Sequence, residues 1–333
     1  MNEDYKFMRK NGDIFKVYLH DYTSNARCMG DELPSELTNS IYRVDKKLKL
    51  DKQRSEALKE NIYYPKDYKL GSGEFGVVYK VCRVTSESSE DSKDKYLCDE
   101  YPEKCDCNFA MKVVNLFLDG DYQIINPIEM LRVYKKCSQI NICLPIEDWW
   151  FCDNKTKLVI ITRILSYDLG KYLKRDALKY QDKFKIISDA LVVMLKLHSL
   201  DIVHKDTHLG NFMLDESNNL FLIDLDLYEE FNPFDNSKSN IEKFLSGIQN
   251  DYTEFTKSLN YTKTKSFEKK LRENYLHGLS FQIQKKIIKG LTLKKSYSSI
   301  EEIKNYENVL VTEFTREIIL PSAEYIKQEK NFQ

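Results

Sequence analysis

No apolar run in the chain reaches the roughly 18 residues that a membrane-crossing helix needs. Net charge is nearly absent too: 51 Lys and Arg stand against 52 Asp and Glu, leaving −1. No global field draws the chain to nucleic acid or to an anionic membrane, so neither is expected as a partner. Glycine is scarce, 11 residues among many Lys, Tyr, Ile and Asn. That bias is read as the base composition of an AT-rich genome rather than as function. The eight cysteines form no Cys-x-x-Cys pair, and no His accompanies Cys98, Cys105 and Cys107. Zinc is therefore the minor reading there, and a solvated insert with free thiols the major one. Met1 to Lys10 is polar and mixed in charge, unlike a signal peptide. Together these predict reduced thiols in an intracellular, cytoplasmic protein.

What is present begins with length, since 333 residues suffice for one large core or two modest lobes. The most informative stretch runs from His204 to Asp226. Phe212-Met213-Leu214 and Leu220-Phe221-Leu222-Ile223 flank the polar turn Asp215 to Asn219, which predicts a hairpin. Asp206 and Asn211 precede its first strand and Asp224 follows its second, so the hairpin folds the three together. Two carboxylates and an amide oxygen are hard ligands that suit Mg²⁺ carrying phosphate and water. The bland alternative is a surface loop whose side chains cap turns.

Upstream, Leu70-Gly71-Ser72-Gly73-Glu74-Phe75-Gly76-Val77-Val78 leads into Tyr79-Lys80-Val81. Glycines between two strands let backbone N–H groups approach phosphate oxygens with no Cβ in the way. Dinucleotide folds also use Gly-x-Gly-x-x-Gly, but a helix follows their glycines, whereas β-type residues follow these. Phe109-Ala110-Met111-Lys112-Val113-Val114 predicts a strand with a central lysine, which needs a partner inside apolar surroundings. Asn126-Pro127 then starts a helix, Asn as N-cap and Pro at its first position, with Glu129 in the first turn. Phe184 to His198 is the clearest helix, apolar at Ile187, Ala190, Leu191, Met194 and Leu197. Ile14 to Leu19 reads as a strand, and Tyr42 to Ala57 as an exposed helix from its charge mix.

In these motifs the chain resembles the protein-kinase superfamily. The matching residues are His204-x-Asp206, Asn211 five residues on, Asp224 after the hairpin, the glycine loop with Val78 two places after its third glycine, and Ala110-Met111-Lys112. The resemblance spans residues 68 to 226 and implies an α+β, bilobal protein-kinase-like fold: a small antiparallel sheet with one main helix, then a mostly helical second lobe. It places an accessory segment at 1–60, the first lobe at 61–162 with an insert at about 84–108, and the second lobe at 163–333, divergent after 226. It implies ATP and Mg²⁺ as cofactors and a protein as substrate. The backbone from Leu70 to Val78 covers the phosphates, Lys112 holds them, and Glu129 pairs with Lys112. Asn211 and Asp224 hold the metal, and Asp206 orients the acceptor hydroxyl. Thr162 to Leu165 becomes the hinge whose backbone meets adenine, with Ile161 behind it. His198 and His204 are structural.

Several residues depart from the family pattern. Lys205 stands where the family has arginine, and Asp226 where it has glycine after the metal aspartate. No Ala-Pro-Glu or Asp-x-Trp-x-x-Gly follows, although Ile241–Ile248, Phe267–Leu291 and Val309–Ile319 look helical. His208, two places after Asp206, makes Asp-x-His-x-Gly-Asn, which is similar to the aminoglycoside and choline kinases. The expectation is a divergent serine/threonine protein kinase. Its alternatives are a small-molecule kinase and a pseudokinase scaffold.

Overall fold

Val77, Val78, Val81 and Val84 crowd one nine-residue segment, and β-branched side chains pack well on a pleated surface. That segment is the spine of a sheet in the structure, a computed structural model. The structure describes residues 5–8, 14–17, 33–34, 41–44, 69–73, 75–84, 105–118, 122–123, 127–152, 157–175, 180–260, 267–294 and 296–319. It divides into two units, Met1–Lys135 with Pro145–Ile164, and Lys136–Leu144 with Leu165–Gln333.

In the first unit, β1 (Tyr5–Met8) pairs antiparallel with β2 (Ile14–Val17), and β3 (Leu33–Pro34) with β4 (Ile41–Val44). β5 (Lys69–Ser72) and β6 (Gly76–Val84) form the glycine hairpin. β7 (Cys105–Asn115), β10 (Asp148–Cys152) and β11 (Lys157–Arg163) complete a sheet in the order β10-β11-β7-β6-β4-β3, with β5 on β6. Two short strands, β8 (Phe117–Leu118) and β9 (Tyr122–Gln123), pair apart from it. Val81 opposite Phe109 and Tyr79 opposite Met111 share one buried face. Helix α1 (Pro127–Gln139) buries Met130, Leu131, Val133, Tyr134 and Cys137, a spacing of three and four that gives one apolar stripe.

Two sequence expectations change here. The helix expected over Tyr42 to Ala57 is overturned at its start: Tyr42, Arg43 and Val44 are extended and pair with Arg83, Cys82 and Val81. A charge mix does not fix conformation, whereas the ladder on β6 fixes the backbone. The remainder of that segment, the Asn126 cap, Cys98 and the centre of the insert lie outside the described residues. Strands also reach further into the insert than its composition indicates, β6 through Val84 and β7 from Cys105.

The second unit is mostly helical. β12 (Tyr167–Asp168) and α2 (Leu169–Leu173) open it, Asp168 capping the helix through the Lys171 N–H. α3 (Tyr180–Ser199) buries Ile187, Ala190, Leu191, Met194 and Leu197 completely. β13 (Ile202–Val203) and β16 (Glu229–Glu230) form one ladder, and β12 joins β14 (Phe212–Leu214) and β15 (Leu220–Leu222) in another. Beyond them lie α4 (Lys238–Asn260), α5 (Phe267–Ile283), α6 (Lys289–Leu293) and α7 (Ile300–Phe314), with π turns after α5 and α7. Ser299 caps α7 by accepting the Glu302 N–H. No described helix is long and apolar enough to cross a membrane.

Candidate functional site

Chemistry-bearing residues gather in each unit. In the first, Gly73 N–H donates to the Gly76 carbonyl at 2.9 Å and closes the glycine hairpin. Gly71, Ser72 and Gly73 are exposed, as is Leu70, while Glu74 lies outside the described residues. The two outer glycines are glycine for different reasons. A Cβ on Gly76 would sit 2.2 Å from the Val113 carbonyl oxygen, so β6 can approach β7 only without a side chain there. A Cβ on Gly71 would meet nothing within 4 Å, so the fold itself does not demand glycine at that position.

Lys112 lies directly opposite Val78 on β6 and Ile160 on β11, so the three share one face of the sheet. Lys112 is half-buried, whereas its neighbours Met111 and Val113 turn to the opposite, buried face. Glu129 sits in the first turn of α1, where a carboxylate is favoured, and accepts a hydrogen bond from Arg132 Nε at 2.6 Å. Phe75, Val77 and Val78 are partly exposed. Ile161 is fully buried, its carbonyl accepting from the Glu147 N–H, and the Ile164 N–H donates to the Asn108 carbonyl. Thr162 and Arg163, expected in a hinge, are still part of β11.

The second unit joins Asn211 to Asp206 and ties Ile223, the residue before Asp224, to the same loop. β14 and β15 pair Phe212 with Leu222 and Leu214 with Leu220. Their turn is fixed by Asp215, whose carboxylate accepts from the N–H groups of Ser217 and Asn219 and from Asn219 Nδ2. The Ile223 N–H then donates to the Asn211 carbonyl at 2.8 Å, tying the segment before Asp224 to the loop before β14. Asn211 Nδ2 donates to the Asp206 carbonyl at 2.8 Å and to Asp206 Oδ2 at 2.9 Å. Both amide hydrogens are thus spent on Asp206, and the amide oxygen is what Asn211 can offer a cation. Among the described residues no group of three or more His, Cys, Asp or Glu side chains is arranged to hold a metal. Asp206, Asp224 and the Asn211 amide would offer oxygen donors only, a set that would fit Mg²⁺ keeping other ligands.

His204 locks this arrangement. It is buried; its Nδ1 accepts the Asp206 N–H at 3.2 Å and its Nε2 donates to the Ile223 carbonyl at 2.9 Å. That pattern requires the neutral ring with hydrogen on Nε2. Burial holds its pKa below the usual histidine value, despite the nearby charges of Asp251, Asp206 and Asp224 that pull it upward. His208 acts as a local cap: its Nδ1 accepts the Gly210 N–H at 3.0 Å, and its Nε2 stands 3.6 Å from Asp206 Oδ2. Lys205, beside Asp206, pairs with Glu229 at 3.1 Å.

Sequence reasoning missed the residue that anchors this loop. Asp251 of α4 is fully buried, and its carboxylate accepts the N–H groups of both His204 and Lys205 at 2.8 Å. It also accepts from His198 Nε2 at 3.1 Å, and its own carbonyl accepts from the Thr207 hydroxyl. The signal was an acid set among Phe244, Ile248, Tyr252 and Phe255, the apolar stripe of α4. A carboxylate on a buried stripe is expensive unless hydrogen-bonded, so it marks a partner to be found.

Residues 65–246, more than half of the chain, match the model of the family described as protein tyrosine and serine/threonine kinase. A similar curated protein is the probable serine/threonine-protein kinase fnkB of Dictyostelium discoideum, 28% identical over 128 residues, 38% of this chain and 23% of that protein. The chain therefore matches less than a quarter of that relative's length. The matched span contains the glycine hairpin, the lysine strand and the looped carboxylates described above, and it shows that the chain belongs to the protein tyrosine and serine/threonine kinase family.

Proposed function

We propose that this chain is an ATP-dependent serine/threonine protein kinase that moves the γ-phosphoryl group to a protein hydroxyl. The observation that carries the proposal is the hold on Asp206. Its carboxylate is gripped by Asn211, its backbone by His204, and the loop before it by Asp251. A carboxylate fixed that firmly is suited to orient one hydroxyl. Asn211 and Asp224 are the metal ligands, and bound Mg²⁺ supplies neutralisation of charge on the phosphates. Lys112, facing Val78 and Ile160, binds the α- and β-phosphates, with Glu129 as its partner. The hairpin backbone from Leu70 to Val78 covers them, Val78 meets the adenine, and Thr162 to Leu165 forms the hinge. The domain limits proposed are 1–60, 61–162 and 163–333. The partners proposed are ATP and a protein substrate, in the cytoplasm.

Two observations favour a second reading, a small-molecule kinase. His208 caps the turn beside Asp206, and only residues 225–237 separate Asp224 from α4. That short stretch leaves little chain for a peptide platform.

The test is transfer of labelled γ-phosphate to a basic protein and to a panel of small alcohols, by wild type and Asp206→Ala. The protein should be labelled, and Asp206→Ala should lose about 10²-fold or more of the rate. Labelling of alcohols alone would establish the second reading. Wild-type turnover by Asp206→Ala would remove Asp206 from the chemistry.

A further inference from the structure

Helix α7 begins at Ile300, more than fifty residues beyond the span matched by the family, yet it reaches the base of the Asp206 loop with two charged side chains. Lys304 Nζ lies 2.8 Å from Asp201 Oδ1, at the turn where α3 gives way to β13. Asp201 holds a positive φ of 63°, and its N–H donates to the His198 carbonyl while its own carbonyl accepts the Phe231 N–H. One turn along α7, the fully buried Glu307 accepts from His198 Nδ1 at 2.6 Å and from the Tyr252 hydroxyl at 2.7 Å. Both His198 nitrogens thus face carboxylates, Glu307 on one side and Asp251 on the other. A carboxylate only accepts, so the ring donates twice and is an imidazolium. Burial alone would depress its pKa, but the two carboxylates outweigh burial and raise it to about 10. Burial, then the charge of Glu307, pushes the Tyr252 phenol well above its usual range, so it stays a donor.

The chain runs Glu307, His198, Asp251, then the N–H groups of His204 and Lys205, and Asp206 is the next residue. Apolar side chains of similar volume would join these helices at least as well as a buried ionic cluster. What such a cluster adds is direction, because each bond fixes the next group in one orientation. The geometry points to Glu307 as a positioning residue for phosphoryl transfer, acting through His198 and Asp251 to hold the backbone that presents Asp206. Removing the charge of Glu307 frees the imidazole to turn, and Asp251 loses one of the three donors that aim it. The inference rests on the kinase reading proposed above.

Its test compares wild type, Glu307→Gln and Tyr252→Phe by steady-state kinetics and by hydrogen exchange at the His204 and Lys205 amides, well below the melting temperature. Glu307→Gln should lower kcat by about tenfold or more, with KM for ATP within about twofold, because misplacement and not nucleotide binding is the defect. The two amides should exchange faster than in wild type. A purely structural role would lower the melting temperature and leave kcat and exchange unchanged, and that result overturns the inference. An inactive wild type would sink the kinase reading, and the exchange data would then decide the positioning role alone. If Glu307→Gln does not fold, Tyr252→Phe decides: it deletes one donor to Glu307 and leaves every charge in place. Unchanged kcat and exchange in that variant overturn the inference, and a loss in both supports it.

Discussion

Lys205 and Asp224 hold φ angles of 72° and 64°, a region that costs a non-glycine residue about 1–2 kcal/mol. Their surroundings over-determine both. The Lys205 N–H is held by Asp251, and Ile223, next to Asp224, is bound through its N–H by Asn211 and through its carbonyl by His204. Strain of this kind persists where position matters more than stability. The glycines allow a sharper residue-level contrast. Gly76→Ala drives a Cβ into the Val113 carbonyl, so it should destabilise the protein by about 1–3 kcal/mol in chemical denaturation. Gly71→Ala should melt like wild type and raise KM for ATP several-fold, because only an approaching phosphate needs that space. A melting loss at Gly71, or none at Gly76, would contradict these roles. The histidines predict opposite pH behaviour. His198 titrates at about 6.5 when unfolded and about 10 when folded. The stability it adds is whole below about pH 6.5 and is lost as pH rises through about 10. His204 is depressed instead, so its share is present above about pH 6.5 and lost as pH falls through its folded value. The stability gap between wild type and His198→Gln should therefore narrow from pH 6.5 to pH 10 in urea titrations; a constant gap would mean His198 is not the buried cation.

At the scale of elements, packing decides more than propensity. α3 carries the core of the second unit on a stripe that is fully buried at Ile187, Leu191 and Met194. Leu191→Ala should cost about 2–5 kcal/mol, read as a lowered denaturation midpoint, because the site loses both burial and its filling. A cost near zero would mean the stripe does not face a core. Elements with a strong local signal were legible in the sequence: the Asp215 turn between two apolar runs, Pro127 at a helix start, and the three-and-four spacing of α3. Conformation set by a distant partner was not. Tyr42 to Val44 are extended because β6 pairs with them, and no neighbour in sequence announces that. Asp251 and Glu307 were hidden in a similar way. Each is an acid on a helix that also carries exposed acids, and only the buried stripe around it separates it from them. Motif spacing singles out Lys112 and Asp206 as candidates, whereas Asp251 acts through a fold contact 45 residues from Asp206 and belongs to no such spacing.

At the scale of the molecule, the matched family span ends at residue 246, inside α4, while helical structure continues through α7 and its π turn. Helix α7, in that unmatched part, is still tied to the segment leading into the Asp206 loop, through Glu307 to His198 and Lys304 to Asp201. Under the function proposed above, Lys112 and Asp206 serve a single phosphoryl transfer. The most direct test is the initial rate of labelled γ-phosphate transfer by wild type, Lys112→Met, Asp206→Ala and the double variant. Residues that act as one unit give strongly non-additive losses. Each single variant should fall by about 10²-fold or more, and the double variant should be no slower than the slower single one. Losses that simply multiply, or wild-type turnover in either single variant, would contradict the claim.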